Sequence, residues 1–240
     1  MYDGDKPVSG SPSEAMFSGR TTKAAALLAK APVAGAVKTR LTPALSAEQS
    51  ASLHAAFVAD VWKGFQELEG VDCWLFSDRV HPWFEEIAAG RVQPQSEGDL
   101  GNRLLRCFEQ LSAAGYDRIV IVGADSPTLP ASYLRMSFQL LDQVDAVIGP
   151  SEDGGYYAVG CRKPHAGMFE GVEWSTERAF EQTEAAFDRA GLSMARLPVW
   201  YDVDRFGDLL RLAAEEDIPE NTRRWLQDSE LAEKLRREQV

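Results

Sequence analysis

Several short runs of this 240-residue chain set carboxylates, cations or paired glycines where they could handle a phosphate, a divalent ion or an alcohol. Asp125 stands first. It lies within residues 119–127 (IVIVGADSP), just past an apolar run with no polar face. Such a run reads as a strand covered on both sides, as in parallel α/β sheets. Ligands of those sheets bind beyond the carboxyl ends of the strands. A carboxylate delivered there can hold a metal ion, a ribose or a phosphate-bound Mg²⁺, which takes one or two carboxylates beside its phosphates. The competing reading is a cap for a helix beginning after Pro130.

The next group precedes it. Residues 29–41 (AKAPVAGAVKTRL) follow a candidate strand and carry Lys30, Gly35, Lys38 and Arg40. Three cations and a flexible glycine at a strand end could cradle phosphates and neutralise charge during transfer, or form a solvated basic turn. Neither the Walker A pattern nor Gly-x-Gly-x-x-Gly is present, which counts against kinases, ATPases and dehydrogenases. In residues 97–103 (EGDLGNR), Asp99 and Arg103 could touch a nucleotide; alternatively Asp99 caps a helix while Gly98 and Gly101 allow the turn. Asp153 could bind or deprotonate an acceptor hydroxyl. Gly154 and Gly155 beside it, followed by Tyr156, permit close backbone approach, or they simply make a hairpin. Trp174 could line an acceptor pocket or belong to the core, and Ser175 reads as an N-cap. Asp202 and Asp204, one residue apart, point the same way in an extended segment and could complete a divalent site with Asp125; Asp204 could also cap the next helix.

Strands and helices must hold these groups together. Strands are expected at residues 23–30, 71–77, 91–94, 119–123, 146–149, 156–160 and 193–199. Helices are expected at 46–69 with Ser46 as N-cap, 82–89, 102–114, 131–143 and 176–190, with terminal helices after 204. The alternation predicts βαβ units in a three-layer α/β/α sandwich, with a mostly parallel sheet that the PSEDGG turn interrupts by one antiparallel strand. One domain over residues 21–228 is expected, between a loose tail at 1–20 and a helical tail at 229–240.

A net charge of −12 opposes binding to nucleic acid or anionic membranes, because both need clustered cations. A nucleotide remains acceptable, needing only a few local cations or one metal. Three scattered cysteines, Cys73, Cys107 and Cys161, suggest neither disulfides nor zinc. The histidines, His54, His81 and His165, show no ligand spacing. No apolar stretch approaches the roughly 20 residues of a membrane span, and the first 20 residues lack a signal-peptide core, so a cytoplasmic protein is expected.

In this order the motifs resemble the DUF2064 family of GT-A-like transferases, described as glycosyltransferases or nucleotide-diphospho-sugar transferases. The matching residues are 29–41, 98–104 (GDLGNRL), 123–129 (GADSPTL), 149–160 (GPSEDGGYYAVG), 173–176 (EWST) and 202–204 (DVD). The family is similar to phospholactate guanylyltransferases and molybdenum-cofactor nucleotidyltransferases. The resemblance implies a GT-A fold, a Mg²⁺ or Mn²⁺ site at Asp125, Asp202 and Asp204, and a nucleotide phosphate near Lys38 and Arg40. The reading that follows is a metal-dependent glycosyltransferase using a nucleotide-diphospho-sugar and a small-molecule acceptor. A nucleotidyltransferase releasing pyrophosphate is the alternative, and a non-catalytic nucleotide-binding module a third.

Overall fold

The computed structural model describes residues 21–42 and 44–229. The expectations for the tails at 1–20 and 230–240 lie outside the described residues. Seven strands form one sheet: β1 (Lys23–Ala29), β2 (Asp72–Ser77), β3 (Val92–Pro94), β4 (Arg118–Gly123), β5 (Ala146–Pro150), β6 (Tyr156–Cys161) and β7 (Met194–Arg196). Their order is β3-β2-β1-β4-β6-β5-β7. Every pairing is parallel except the two made by β6, which runs antiparallel to β4 and β5. The expected mostly parallel sheet with one reversed strand is therefore the fold observed.

β1 is rich in alanine, a weak strand former, yet it sits at the centre of the sheet with partners on both sides. Pairing and burial override intrinsic preference there. Its residues alternate between two apolar layers. Ala25, Leu27 and Ala29 face helices α1 (Ala47–Gln66), α2 (Pro82–Ala88) and α4 (Ala131–Leu140); Ala24 and Ala26 face α3 (Leu100–Ala113) and α5 (Ala179–Arg189). The register aligns Ala29 with Ser77 and Leu28 with Gly123, so β1, β2 and β4 end along one edge. Reversal of β6 brings its first residues to that same edge.

Ser46 caps α1 as expected, accepting from the Gln49 amide (3.2 Å), while the Gln49 side chain accepts from the Ser46 amide (2.8 Å). Several boundaries differ from expectation: α1 ends at Gln66, α4 at Leu140 and β7 at Arg196, each three residues early, and two helix starts differ as well. α3 begins at Leu100, two residues early, because Asp99 caps it by accepting from the Asn102 amide. α5 begins at Ala179, so Ser175 is not its N-cap; Ser175 instead has a left-handed backbone (φ 62°). A third apolar cluster joins the start of α1 to α6 (Phe206–Ala213) and α7 (Glu220–Asp228). Among the described residues, no helix is long and apolar enough to cross a membrane.

The buried carboxylate of Asp60 in α1 accepts from the Asn221 amide (3.0 Å), the Asn221 side chain (2.8 Å) and the Thr222 amide (2.7 Å), satisfying the first turn of α7. Asp60→Ala should therefore destabilise the fold by about 2–3 kcal/mol in urea unfolding, with Asp60→Asn costing less. A loss below about 0.5 kcal/mol would show that α7 docks through its apolar contacts alone.

Candidate active site

The aligned strand ends converge on one cation. After β1 the chain turns through Gly35 (φ 77°) to Lys38, which holds a left-handed backbone (φ 48°) unusual for a residue with a Cβ. A short 3-10 turn, Thr39–Leu41, follows and buries Leu41. Lys38 is thereby aimed inward: its side chain is 3% exposed and its ammonium lies 5.5 Å from the centre of the Phe57 ring. The ammonium pairs with the carboxylate of Asp125 and donates to the Val203 carbonyl (2.7 Å) and Asp204 Oδ1 (3.1 Å). Arg40 reaches the other oxygen of Asp204 (3.1 Å). The Val203 amide donates to the Asp125 carbonyl (2.8 Å), fastening the DVD segment to the loop after β4.

Charge follows this geometry. Burial pushes the Lys38 amine down, but Asp125 and Asp204 outweigh it and hold its pKa above the ordinary lysine value. Burial likewise pushes the Asp125 carboxyl up, and Lys38, aided by His54, brings it below the usual range. Asp202 behaves differently. Its carboxylate accepts from the Ser126 hydroxyl, but burial, with added repulsion from Asp125 and Asp153, pushes its pKa up to about 6. Asp202 and Asp204 thus have separate partners: one meets Ser126, the other Lys38 and Arg40. Among the described residues no three His, Cys, Asp or Glu side chains form a preformed metal cluster; the lysine nitrogen stands among the carboxylates.

The remaining expected residues lie around this centre. Lys30 follows β1 directly and is exposed. Asp99 caps α3, and Arg103 donates to the Gly98 carbonyl (3.0 Å) beside a cavity of about 490 Å³ bordered by Phe76, Gln95, Ser96 and Gln110. Asp153 is exposed and accepts from the Ser151 hydroxyl (2.5 Å) and the Gly155 amide (2.9 Å). Gly154 serves the protein's own packing: at φ 85°, a Cβ there would fall 2.0 Å from the Glu177 carbonyl oxygen, whose segment also donates the Phe180 amide to Gly154. Gly101 is within α3 rather than the turn before it, and a Cβ would meet the Trp174 ring at 2.8 Å. Trp174 packs edge-on to Tyr156 (6.3 Å), and both join the apolar layer under α3 and α5. The Tyr156 hydroxyl is buried, which raises its pKa. Ser175 is exposed.

Sequence reading missed four supporting side chains. His54, buried in α1, donates from Nε2 to the Lys30 carbonyl (3.0 Å), since a carbonyl can only accept. Asp78 accepts from the Ala31 amide (2.7 Å), and Gln95 donates to the carbonyls of Ala29 (3.1 Å) and Phe76 (2.8 Å). These three fix the root of the basic loop. Ser126, the fourth, was within reach as the neighbour of Asp125. Nothing local marks the other three, because their partners lie 19 to 66 residues away.

Known proteins resemble this chain in sequence or in fold. Residues 69–176 match the model of DUF2064, an uncharacterized protein conserved in bacteria. This bears out the resemblance read from the motifs. A crystal structure from Desulfovibrio desulfuricans G20, provisionally named a nucleotide-diphospho-sugar transferase, is 28% identical; the match covers 90% of this chain and 98% of that one, with a TM-score of 0.82. Two more distant structures share the fold. One is CMP:2-keto-3-deoxy-manno-octonic acid synthetase solved with CTP (12% identity, 80% of this chain and 97% of that one, TM-score 0.53). The other is the inositol-1-phosphate CTP transferase from T. maritima (14%, 86% and 97%, TM-score 0.52). No curated protein matches the sequence. The chain has the GT-A fold, the fold of nucleotide-using transferases.

Asp202 generates a pH prediction. A carboxyl whose folded pKa is raised contributes stability present below its unfolded pKa of about 3.8 and lost as pH rises through about 6. In the presence of EDTA, Asp202→Asn should be more stable than the parent by about 2 kcal/mol at pH 8, the difference shrinking towards zero near pH 4. Equal denaturation midpoints at pH 8 would refute the raised pKa.

Proposed function

We propose that this protein is a divalent-metal-dependent glycosyltransferase that uses a nucleotide-diphospho-sugar as donor and a small molecule as acceptor. The observation that carries the reading is the pairing of half-exposed Asp125 with buried Lys38 at the carboxyl edge of the sheet, with Asp202 beside them. The likeness to the Desulfovibrio protein supports it.

The donor set suits Mg²⁺ or Mn²⁺. Asp125 is 49% exposed, and Asp202 lies near enough to Asp125 and Asp153 for their negative charge to raise its pKa, a concentration of the hard oxygen donors such ions take. Asp125 and Asp202 would hold the ion, and Asp204, engaged by Lys38 and Arg40, would add its negative charge to the site. Bound there, the ion would draw negative charge from the departing diphosphate. The protein's own groups do the rest. The basic loop presents Lys38 and Arg40 to the phosphates. Asp153, held by Ser151 and Gly155, orients the acceptor hydroxyl or takes its proton. Positioning and charge stabilisation suffice for such a transfer, and no covalent nucleophile is needed.

The concentration of cations after β1 favours a second reading, nucleotidyl transfer from an NTP to a phosphorylated small molecule. Incubation with panels of NTPs and nucleotide sugars, with Mg²⁺ or Mn²⁺ and candidate acceptors, separates the two. Release of a nucleoside diphosphate is expected; release of pyrophosphate would replace the first reading by the second. Asp125→Ala should abolish metal-dependent nucleotide binding while leaving the far-UV circular dichroism intact. Unchanged affinity in that variant would remove Asp125 from the site.

A further inference from the structure

We propose that Lys38 is an internal competitor for the divalent ion: a tethered cation that occupies Asp125 and yields it when the phosphates of the donor arrive. This rests on the reading of Asp125 and Asp202 as ion ligands. The contacts of the ammonium carry the inference. A lysine ammonium has three donors. Here three oxygens surround it: Asp125 Oδ1, the Val203 carbonyl at 2.7 Å and Asp204 Oδ1 at 3.1 Å. Its charge is therefore fully engaged on a ligand that the ion also needs. Because the side chain is 3% exposed, solvent screens it poorly.

Lys38 leaves the solvent side of Asp125 open to a second cation. Lys38 comes from the protein interior, over the Phe57 ring, whereas half of the Asp125 side chain faces solvent. A unit charge held within about 5 Å of a bound ion, at an effective dielectric of about 20, weakens binding by more than tenfold. The architecture also allows Lys38 to leave. The left-handed backbone at φ 48° fixes only the root of a flexible four-carbon stem. Asp204 keeps Arg40 as a partner when Lys38 departs, so no carboxylate is left alone. Donor phosphates seated on the basic loop offer the ammonium a new anion. Exchange of Lys38 from Asp125 to phosphate then clears the carboxylate for the ion, and binding of donor and ion become mutually reinforcing.

The test uses Mn²⁺ alone, titrated into the full-length wild-type protein and into the Lys38→Met, Lys38→Gly and Lys38→Arg variants, with free Mn²⁺ read by electron paramagnetic resonance and folding checked by thermal unfolding. Lys38→Met and Lys38→Gly are expected to bind Mn²⁺ about tenfold or more tightly than wild type, and Lys38→Arg within about threefold of it. The Asp125→Asn/Lys38→Met double variant should lose the tight site. Glycine at 38 relieves the backbone conformation, so it decides the matter if the methionine variant unfolds. Wild-type or weaker Mn²⁺ affinity in a folded uncharged variant overturns the competition. Such a result leaves the transferase reading to the donor panel, where product formation by wild-type protein is measured independently.

Discussion

A single buried ammonium organises the candidate site of this molecule. Lys38 binds a carboxylate from the loop after β4 and a carbonyl and a second carboxylate from the segment after β7, joining positions 38, 125, 203 and 204. A charge so placed is costly unless its partners surround it. That requirement explains local features that otherwise look unrelated: the left-handed backbone at Lys38, the buried anchor at Leu41, and the amide-to-carbonyl bond from Val203 to Asp125. It also explains why β1 and β4 must be neighbours, since only then do their loops reach the same point.

Around that point the sheet works as a frame. The parallel strands end in register, and the reversed β6 returns the Asp153 turn to the same edge. Two glycines lock the second half of the site to the first half and to itself. Gly101 lets α3 lie against Trp174, and Gly154 lets the hairpin lie on the backbone of Glu177. The motifs around them are thus joints between elements as well as candidate contacts for ligands.

The sequence revealed this plan unevenly. Alternating elements, the antiparallel insertion and the cap at Ser46 were legible, because periodicity and turn chemistry are local properties. Asp125, Lys38, Arg40 and Asp204 were legible as candidates by type and place, but their direct pairing was not, since no spacing encodes contacts such as those of Asp204 with Lys38 and Arg40, across 166 and 164 residues. The same limit hid His54, which looks like one more residue on a helix face until its ring meets the Lys30 carbonyl. Ser175 misled for a different reason. It has the chemistry of a cap, yet the chain makes a left-handed turn there and delays the helix to Ala179. Tyr156, at the start of β6, and Trp174, ahead of α5, pack into the apolar layer, a placement that neither local sequence announces.

The Gly101–Trp174 contact has a consequence for how such a chain can drift. The first methyl group added at position 101 meets the indole, 73 residues later, at 2.8 Å. Neither position can be altered freely while the other is held. A bulkier residue at 101 becomes tolerable after the indole shrinks, and a smaller residue at 174 leaves a gap that a side chain at 101 could fill. Two stretches that look independent in the primary structure therefore share one evolutionary fate, and a variant carrying both changes should fare better than either alone.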